Sequence, residues 1–310
     1  MEILDWLLNS DPAIRWQAMR DLTDASPAVL QMERKRVAGE GIGAEILAHQ
    51  QPDGAWRRDN APAWLTTLFT LQLLRATGIN SADPIVEAAA ARLEAGLRWN
   101  DQGGSWELRP VETGGNTFFQ GEVEPCINGG VLAVGSYFGR PVEMLAERLV
   151  AEQLEDGGWN CEAPKTTRSS FHTTICVLEG LLEYERAVGS APQVAAARLR
   201  GEEYLLKRTL FRRLSTGEIV HPNFLQFAFP PRYHYDVLRA LDYFRNTGTE
   251  ANRCMLDAVQ IIRQKQQADG RWLLDHAYDE ALAVSFGDVA GAPSRWNTLR
   301  ALRVLRWFGQ

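Results

Sequence analysis

The chain has 310 residues, of which 45% are apolar, and its formal net charge is −6 at pH 7. That length can bury a substantial core, in one large domain or two ordinary ones, and the acidic balance without a Lys/Arg-rich block argues against nucleic acid as a partner. Four cysteines without a CxxC pair or a secretion signal indicate thiols, and no apolar run reaches the roughly 18 residues of a membrane span, so we expect a cytoplasmic protein.

The first predicted element is a helix in SDPAIRWQAMRDL. Ser10 or Asp11 is suited to its N-cap, and Pro12 falls in its first turn. Residues 1–40 are therefore expected to form the N-terminal helical part of the fold.

A repeated turn is the clearest organising signal in the chain. The pattern Gln-x-x-Asp-Gly-x-Trp occurs in QQPDGAW, QLEDGGW and QQADGRW, which end at Trp56, Trp159 and Trp272. A degenerate copy, DQGGSW, ends at Trp106, and a weaker glycine turn spans Ser215 to Glu218, so the period is about 53 residues. Asp-Gly favours a tight turn, while Gln and Trp can tie it to its neighbours by hydrogen bonding and stacking.

The segments between the turns carry two kinds of helical pattern. Residues 61–74, 125–138 and 172–184 have few charges and are predicted to be inner helices, whereas residues 86–97 and 143–154 are amphipathic and are predicted to be outer helices. Chain length divided by the period gives about six helical hairpins. These observations predict an all-α (α/α)6 toroid, a double ring of helical hairpins, as a single domain over residues 1–310.

The Gln-Asp-Gly-Trp turns at this period resemble the QW repeats of squalene and hopene cyclases, whose relatives include the β subunits of protein prenyltransferases. The resemblance covers essentially the whole chain. It implies the α/α toroid, with an active site in the central cavity at the end where the inner helices begin.

Two of those helix starts resemble the zinc site of prenyltransferase β subunits. Glu124-Pro125-Cys126 is similar to the family's acidic residue and cysteine separated by one residue, with Glu in place of Asp. GGWNCEAPKTTRSSFHTT resembles the family's Gly-Gly turn, Pro/Lys-containing loop and aromatic-His-Thr helix start, so that His172 falls on the zinc histidine. The resemblance implies a Zn²⁺ ion held by Glu124, Cys126 and His172.

Physical chemistry agrees with this assignment. Pro125 biases Glu124 to extended geometry and suits the first helical position, and the positive helix end is expected to lower the pKa of the Cys126 thiol. Carboxylate, thiolate and imidazole suit Zn²⁺, and three protein ligands leave a fourth position for water or substrate. Cys161 could instead be a fourth ligand, which would fill the tetrahedron and make the zinc structural.

A second group of ionisable residues opens another predicted inner helix. His234 and Asp236 could act as a base with an orienting carboxylate, although Asp236 could equally cap the helix. The stretch ETGGNTFFQGEVEP has no Lys or Arg where the prenyltransferase family has its diphosphate-binding cluster. The candidates to supply that charge from other helix starts are Arg168, Lys165, Arg232 and Arg295.

Aromatic residues near the predicted helix starts could line an apolar cavity for a terpenoid or another lipophilic ligand. Packing between helices is the alternative explanation for them. The cavity candidates are Trp64, Phe119, Phe171, Tyr235 and Trp296.

Three functional hypotheses follow from the sequence. The first is a zinc-dependent transferase, lyase or hydrolase acting on a small lipophilic substrate, for example an isoprenoid. The second is a metal-independent terpenoid cyclase or isomerase with a buried acid among Glu122, Glu124, Asp236 and Asp279. The third is a non-catalytic binding module in which zinc only stabilises the fold. The sequence leaves open whether the chain has a protein partner.

Overall fold

The computed structural model describes residues 2–100, 107–189, 191–278, 281–285 and 287–309. In these ranges the regular structure is thirteen α-helices, a few short 3-10 helices and a single two-stranded antiparallel ribbon. The predicted all-α class is confirmed. The degenerate repeat DQGGSW, residues 101–106, lies outside the described residues.

The elements follow the chain in a simple order. The helices are α1 (Ile3–Leu8), α2 (Pro12–Leu22), α3 (Pro27–Arg36), α4 (Gly41–Ala48), α5 (Ala63–Ala76), α6 (Pro84–Gly96), α7 (Pro125–Tyr137), α8 (Glu143–Ala151), α9 (Phe171–Val188), α10 (Pro192–Lys207), α11 (Val237–Thr247), α12 (Leu256–Gln264) and α13 (Arg295–Phe308). Strands β1 (Leu97–Trp99) and β2 (Leu108–Pro110) pair with Arg98 opposite Arg109.

Contacts divide the described residues into two compact units. The first unit contains residues 2–36, 203–278 and 287–309, and the second contains the described parts of 37–202 together with 281–285. Helices α1–α3 and α11–α13 belong to the first unit, and α4–α9 belong to the second. The single-domain toroid over residues 1–310 stays a prediction.

The predicted start of α2 is present in the first unit. The Asp11 side chain accepts a hydrogen bond from the backbone N–H of Ala13 at 2.8 Å, and Pro12 is the first helical residue. This is the usual arrangement of an N-cap carboxylate and a proline whose missing N–H costs nothing at that position.

The second unit contains both predicted kinds of helix. In α7 every residue from Ile127 to Ser136 is buried, whereas α8 buries only Leu145, Ala146 and Leu149. Helices α7 and α9 approach closely because glycines lie between them. A Cβ on Gly129 would lie 2.5 Å from the carbonyl oxygen of Cys176, and one on Gly180 would lie 2.5 Å from that of Gly129.

The three intact repeats form the same hydrogen bonds. Each Trp indole donates to a carbonyl of the helix before the turn, and each Trp backbone N–H donates to a threonine hydroxyl of the helix after it. The indole acceptors are Ile46 at 2.7 Å, Leu149 at 2.6 Å and Ile262 at 2.7 Å, and the threonines are Thr67 at 3.1 Å, Thr174 at 3.1 Å and Thr298 at 3.0 Å. Each turn therefore links two consecutive helices of its own unit and fixes where the second one begins.

Candidate metal centre

The start of α7 is fixed by a short acidic segment. Glu124 is the N-cap residue with extended geometry, φ −85° and ψ 125°, and Pro125 is the first helical residue, as the sequence predicts. Within the described residues, the Glu124 side chain accepts no capping hydrogen bond from α7. The carboxylate of Glu122 instead accepts the backbone N–H groups of Val123 and Glu124, the latter at 2.6 Å. The Glu124 carboxylate is therefore left for another role.

Asn128 holds this segment against the body of α7. The Glu122 N–H donates to Asn128 Oδ1 at 2.8 Å, and Asn128 Nδ2 donates to the Glu122 carbonyl at 3.0 Å. Gly121, at φ +74°, lies so close that a Cβ would be 2.3 Å from Asn128 Oδ1. A buried asparagine with both amide atoms bonded to backbone fixes the local chain path, because breaking either bond would leave a buried polar group unsatisfied.

The loop before α9 is closed on itself and on that helix. The Ser170 N–H donates to the Trp159 carbonyl at 2.8 Å, and Asn160 Nδ2 donates to the carbonyl of Arg168 at 2.7 Å. The Ser170 side chain caps α9. This closure brings Cys161, near the start of the loop, to the first turn of α9, where its Sγ lies 3.4 Å from Thr173 Oγ1.

The starts of α7 and α9 together assemble a three-residue donor group. Within the described ranges, one potential ligand atom from each of Glu124, Cys126 and Cys161 lies within 4.8 Å of the others. Cys126 Sγ donates to Glu124 Oε2 at 3.7 Å. Zinc bonds of about 2.3 Å to sulfur and about 2.1 Å to oxygen, at the tetrahedral angle, would place the two donors about 3.6 Å apart. The donor set and this spacing both fit Zn²⁺.

The two sulfurs of this group influence each other. A hydrogen bond with Cys161, together with burial, holds the pKa of the Cys126 thiol well above its ordinary value. The same hydrogen bond lowers the pKa of Cys161, although burial opposes the shift. The raised pKa of Cys126 differs from the expectation that the helix start lowers it, and the neighbouring sulfur and burial are the causes.

His172, which the sequence resemblance assigns to the metal, occupies the second position of α9 and is half-buried. It precedes Thr173, whose hydroxyl contacts Cys161. The donor group within 4.8 Å contains Cys161 and does not include His172 in the described structure. The assignment of His172 as a metal ligand stays a prediction, and Cys161 gains the stronger geometric case.

Glu122 is a second carboxylate of chemical interest. Its side chain is buried, and burial raises its pKa to about 7, although the N–H groups of Val123 and Glu124 act in the opposite direction. The nearby negative charge of Glu124 raises it further. A carboxyl group with a pKa near 7 can carry a proton at physiological pH, which an ordinary glutamate does not.

The second predicted constellation lies in the first unit. Asp236 caps α11 by accepting the N–H of Arg239 at 2.7 Å, which is the alternative role that the sequence left open for it. Burial raises the pKa of Asp236, and the positive charge of Arg300 opposes the shift. His234 stacks on Tyr278 with ring centroids 3.9 Å apart.

Two of the arginine candidates differ in exposure. Arg232 is buried, has a φ of +52° and lies over the Tyr278 ring, with its guanidinium carbon 5.9 Å from the ring centroid. Arg168 is exposed, in the loop before α9. The catalytic roles of His234, Asp236, Arg232 and Arg168 stay predictions. Asp279 and Glu280 lie outside the described residues.

The aromatic candidates are mostly buried in their own units. In the first unit, Trp296 stacks on Phe229 at 4.3 Å, and the Tyr235 hydroxyl donates to the Leu210 carbonyl. In the second unit, Phe119 and Phe171 are buried, while Trp64 is half-buried and lies 6.1 Å from Trp99 between ring centroids. These contacts are those of packed side chains, and a cavity-lining role for the five residues stays a prediction.

No stretch of helix in the described parts of the chain combines the length and the apolar character needed to cross a membrane. A scan against protein-family models finds no match, and a search of curated proteins finds none either.

Solved structures give distant similarities. A type II terpene cyclase, MstE from Scytonema, in its apo form is 15% identical with a TM-score of 0.47, covering 98% of this chain and 86% of that one. A protein from Actinoplanes is 12% identical with a TM-score of 0.47, covering 96% and 89%. A variant of the Scytonema cyclase in complex with its substrate, geranylgeranyl dihydroxybenzoate, is 15% identical with a TM-score of 0.44, covering 98% and 85%. At these scores the similarity does not assign a function.

Proposed function

We propose that this protein is a zinc-dependent enzyme whose metal is held by Glu124, Cys126 and Cys161. The observation that supports the proposal is the meeting of one carboxylate and two sulfurs within 4.8 Å at the starts of two neighbouring helices. Thiolates favour zinc over Mg²⁺ and Ca²⁺, which prefer oxygen ligands.

Each residue has a distinct part in this proposal. Glu124 supplies an oxygen, since its carboxylate accepts no capping hydrogen bond from α7. Cys126 and Cys161 supply sulfurs, and Thr173 orients Cys161 through its hydroxyl. A zinc ion with one open position polarises a substrate oxygen or activates a water or thiol. Because coordination needs both sulfurs as thiolates, we place the protein in a reducing compartment such as the cytoplasm.

The proposed substrate is a small lipophilic molecule, for example an isoprenoid, as the sequence resemblance implies. Ile127, which follows Cys126 on α7, and Phe171, which opens α9, are buried apolar residues. The stretch from Glu112 to Pro125 has no positive charge, so a prenyl diphosphate is not the donor that we propose.

Zinc titration tests the metal site. Protein stripped with a chelator under reducing conditions should take up one zinc ion per chain, measured by competition with a chromophoric chelator. Cys126→Ser and Cys161→Ser should each weaken binding at least about 100-fold, because even changes to outer-shell partners cost about 10- to 100-fold. The control is Cys254→Ser, since Cys254 is exposed and outside the group. Equal losses in all three variants, or failure of the wild type to bind, would refute the site.

Cobalt substitution separates a catalytic from a structural ion. If three protein ligands hold the metal, an added small thiol should change the visible spectrum of the Co²⁺ protein, and His172→Ala should leave the starting spectrum almost unchanged. If His172 completes the tetrahedron, the added thiol should leave the Co²⁺ spectrum unchanged. The spectrum should instead change in His172→Ala. The second pattern would replace the enzymatic proposal with a structural zinc in a binding module.

A metal-independent terpenoid cyclase or isomerase is the second candidate, and the buried Glu122 favours it. A carboxyl group with a pKa of about 7 could protonate an alkene or an epoxide in an apolar site. Turnover of an isoprenoid that persists in chelator, is lost in Glu122→Gln and survives in Glu124→Gln would establish this candidate. Loss in chelator and in Glu124→Gln would exclude it.

A further inference from the structure

The two thiols of the metal group belong to different segments of the chain. Cys126 is the second residue of α7, and Cys161 lies in the loop that Trp159 and Ser170 close. Their sulfur atoms lie within 4.8 Å of each other, and both residues are free and partly exposed. The other cysteines provide a contrast, since Cys176 is buried within α9 and Cys254 is exposed and absent from the group.

The two sulfurs are carried by different kinds of structure. Cys126 is fixed by the helix and by Pro125 before it, whereas Cys161 lies on a loop that is held at its two ends, by the Ser170 to Trp159 and Asn160 to Arg168 hydrogen bonds. A disulfide needs the sulfurs about 2.05 Å apart. Disulfide formation would therefore require a rotation of the Cys161 side chain, with a shift of its loop, to close a separation of up to 4.8 Å.

We propose that Cys126 and Cys161 are a modification site, at which a peroxide converts the dithiol to a reversible intramolecular disulfide that cannot hold the metal. One sulfur attacks a peroxide oxygen, the O–O bond breaks, and a water leaves, which gives a sulfenic acid. The other sulfur then attacks the oxidised one, the S–O bond breaks, and a second water leaves. Two thiols and one hydrogen peroxide therefore give one disulfide and two waters, and a dithiol reductant returns the two electrons.

The disulfide rests on the geometry of the two thiols alone, while its effect on the metal also rests on the proposed function. A disulfide sulfur is not the thiolate that zinc requires, so oxidation removes two of the three proposed ligands in one step. The site would then respond to peroxide by releasing its metal.

Thiol counting on metal-free protein tests the disulfide. Chelator-treated protein is exposed to hydrogen peroxide, alkylated, digested without reductant and analysed by mass spectrometry. The wild type should lose two of its four thiols and yield a cross-linked peptide joining residues 126 and 161, which a dithiol reverses. Cys254→Ser should give the same cross-link, whereas Cys126→Ser and Cys161→Ser should give none. Sulfinic or sulfonic acids on the wild-type pair, or cross-links only between chains, would overturn the proposal.

Zinc release is the second readout and keeps the two proposals separate. Peroxide added to the zinc-loaded wild type should release one zinc ion for each pair of thiols lost, and the reductant should restore binding. A cross-link in a protein that never binds zinc would refute the metal site and leave the disulfide standing. Zinc binding by a protein that forms no cross-link would refute the disulfide and leave the metal site standing.

Discussion

The starts of α7 and α11 carry the same kind of residue and use it in opposite ways. Asp236 caps α11 with its carboxylate, and its charge is buried beside arginines. Glu124 occupies the same position on α7, but Glu122 binds the nearby N–H groups and the longer Glu124 side chain reaches Cys126. Asp is a preferred N-cap residue and Glu is not. An acidic residue before a helix becomes a candidate ligand when its carboxylate does not cap the helix, as at Glu124.

The charges around α11 are paired within the first unit, so removing one should have the largest effect on stability. Asp242 is buried and accepts hydrogen bonds from the guanidinium of buried Arg303, one of them at 2.6 Å. Asp242→Ala should destabilise the protein by about 3–5 kcal/mol in denaturant unfolding, because it removes the shortest carboxylate contacts of a buried cation and leaves it only the longer contact with Asp21 at 3.4 Å. The control is Asp257→Ala, which removes an exposed partner of Arg212 and should cost about 0–1 kcal/mol. Similar losses of stability in both variants would contradict the expected difference between a buried and an exposed ion pair.

The hydrogen bond from the repeat Trp N–H to a threonine hydroxyl should contribute equally to stability in the two units. Thr174 accepts the N–H of Trp159 at the start of α9, and Thr298 accepts that of Trp272 in α13. Thr174→Val and Thr298→Val should each lower stability by about 1–3 kcal/mol, since each leaves a buried N–H without its acceptor. Thr174→Val should also weaken zinc binding, because it loosens the turn before Cys161, whereas Thr298→Val should leave zinc affinity unchanged. Identical zinc affinities in the two variants would show that this turn does not position the sulfur.

Substitutions of the two acidic N-cap residues, Asp236 and Glu124, should lower stability by different amounts. Asp236→Ala should cost about 0.5–2 kcal/mol of stability through loss of the cap, and Asp236→Asn should cost much less because Asn also caps. Glu124→Ala should cost within about 0.5 kcal/mol in metal-free protein, since its carboxylate holds no helix N–H. Thermal unfolding of the three variants measures this order, and a larger loss in Glu124→Ala than in Asp236→Ala would reverse the comparison.

The last expected effect is a pH dependence of the free energy of unfolding that arises from Glu122. Burial raises its pKa from 4.5 to about 7, so the folded state binds more protons than the unfolded state between those values. Its contribution to stability is present at low pH and is lost as the pH rises through about 7. The stability difference between Glu122→Gln and the wild type, followed by denaturant unfolding from pH 4.5 to 8, should therefore shift in favour of the variant. A constant difference would show that the carboxyl group titrates normally.

Much of the helical organisation could be predicted because it depends on local pattern. The Gln-Asp-Gly-Trp turns and the uncharged segments predicted the helices that follow them, and Pro125 predicted the extended geometry of Glu124. These features need only a few neighbouring residues. The tight glycine contacts of α7 with α9, by contrast, involve residues about 50 positions apart, and the double glycine of INGG was their only trace in the sequence.

The donor group was predicted only in part, because its third member depends on how a loop closes. The family resemblance ranked His172 above Cys161 as a metal ligand. Hydrogen bonds from Ser170 and Asn160 nevertheless bring Cys161 to the thiol of Cys126. Glu122 was one of several possible acids, and its raised pKa arises from burial that the sequence does not display. A cysteine directly after the repeat tryptophan and Asn160 was the signal that could have ranked Cys161 higher.

X-ray absorption at the zinc edge distinguishes sulfur ligands of the metal from oxygen and nitrogen ligands. In protein loaded with one equivalent of zinc under reducing conditions, we expect two sulfur neighbours at about 2.3 Å together with nitrogen or oxygen neighbours at about 2.0–2.2 Å. Cys161→Ser should retain one sulfur neighbour. A wild-type spectrum with oxygen and nitrogen neighbours alone would contradict a metal site built from Cys126 and Cys161.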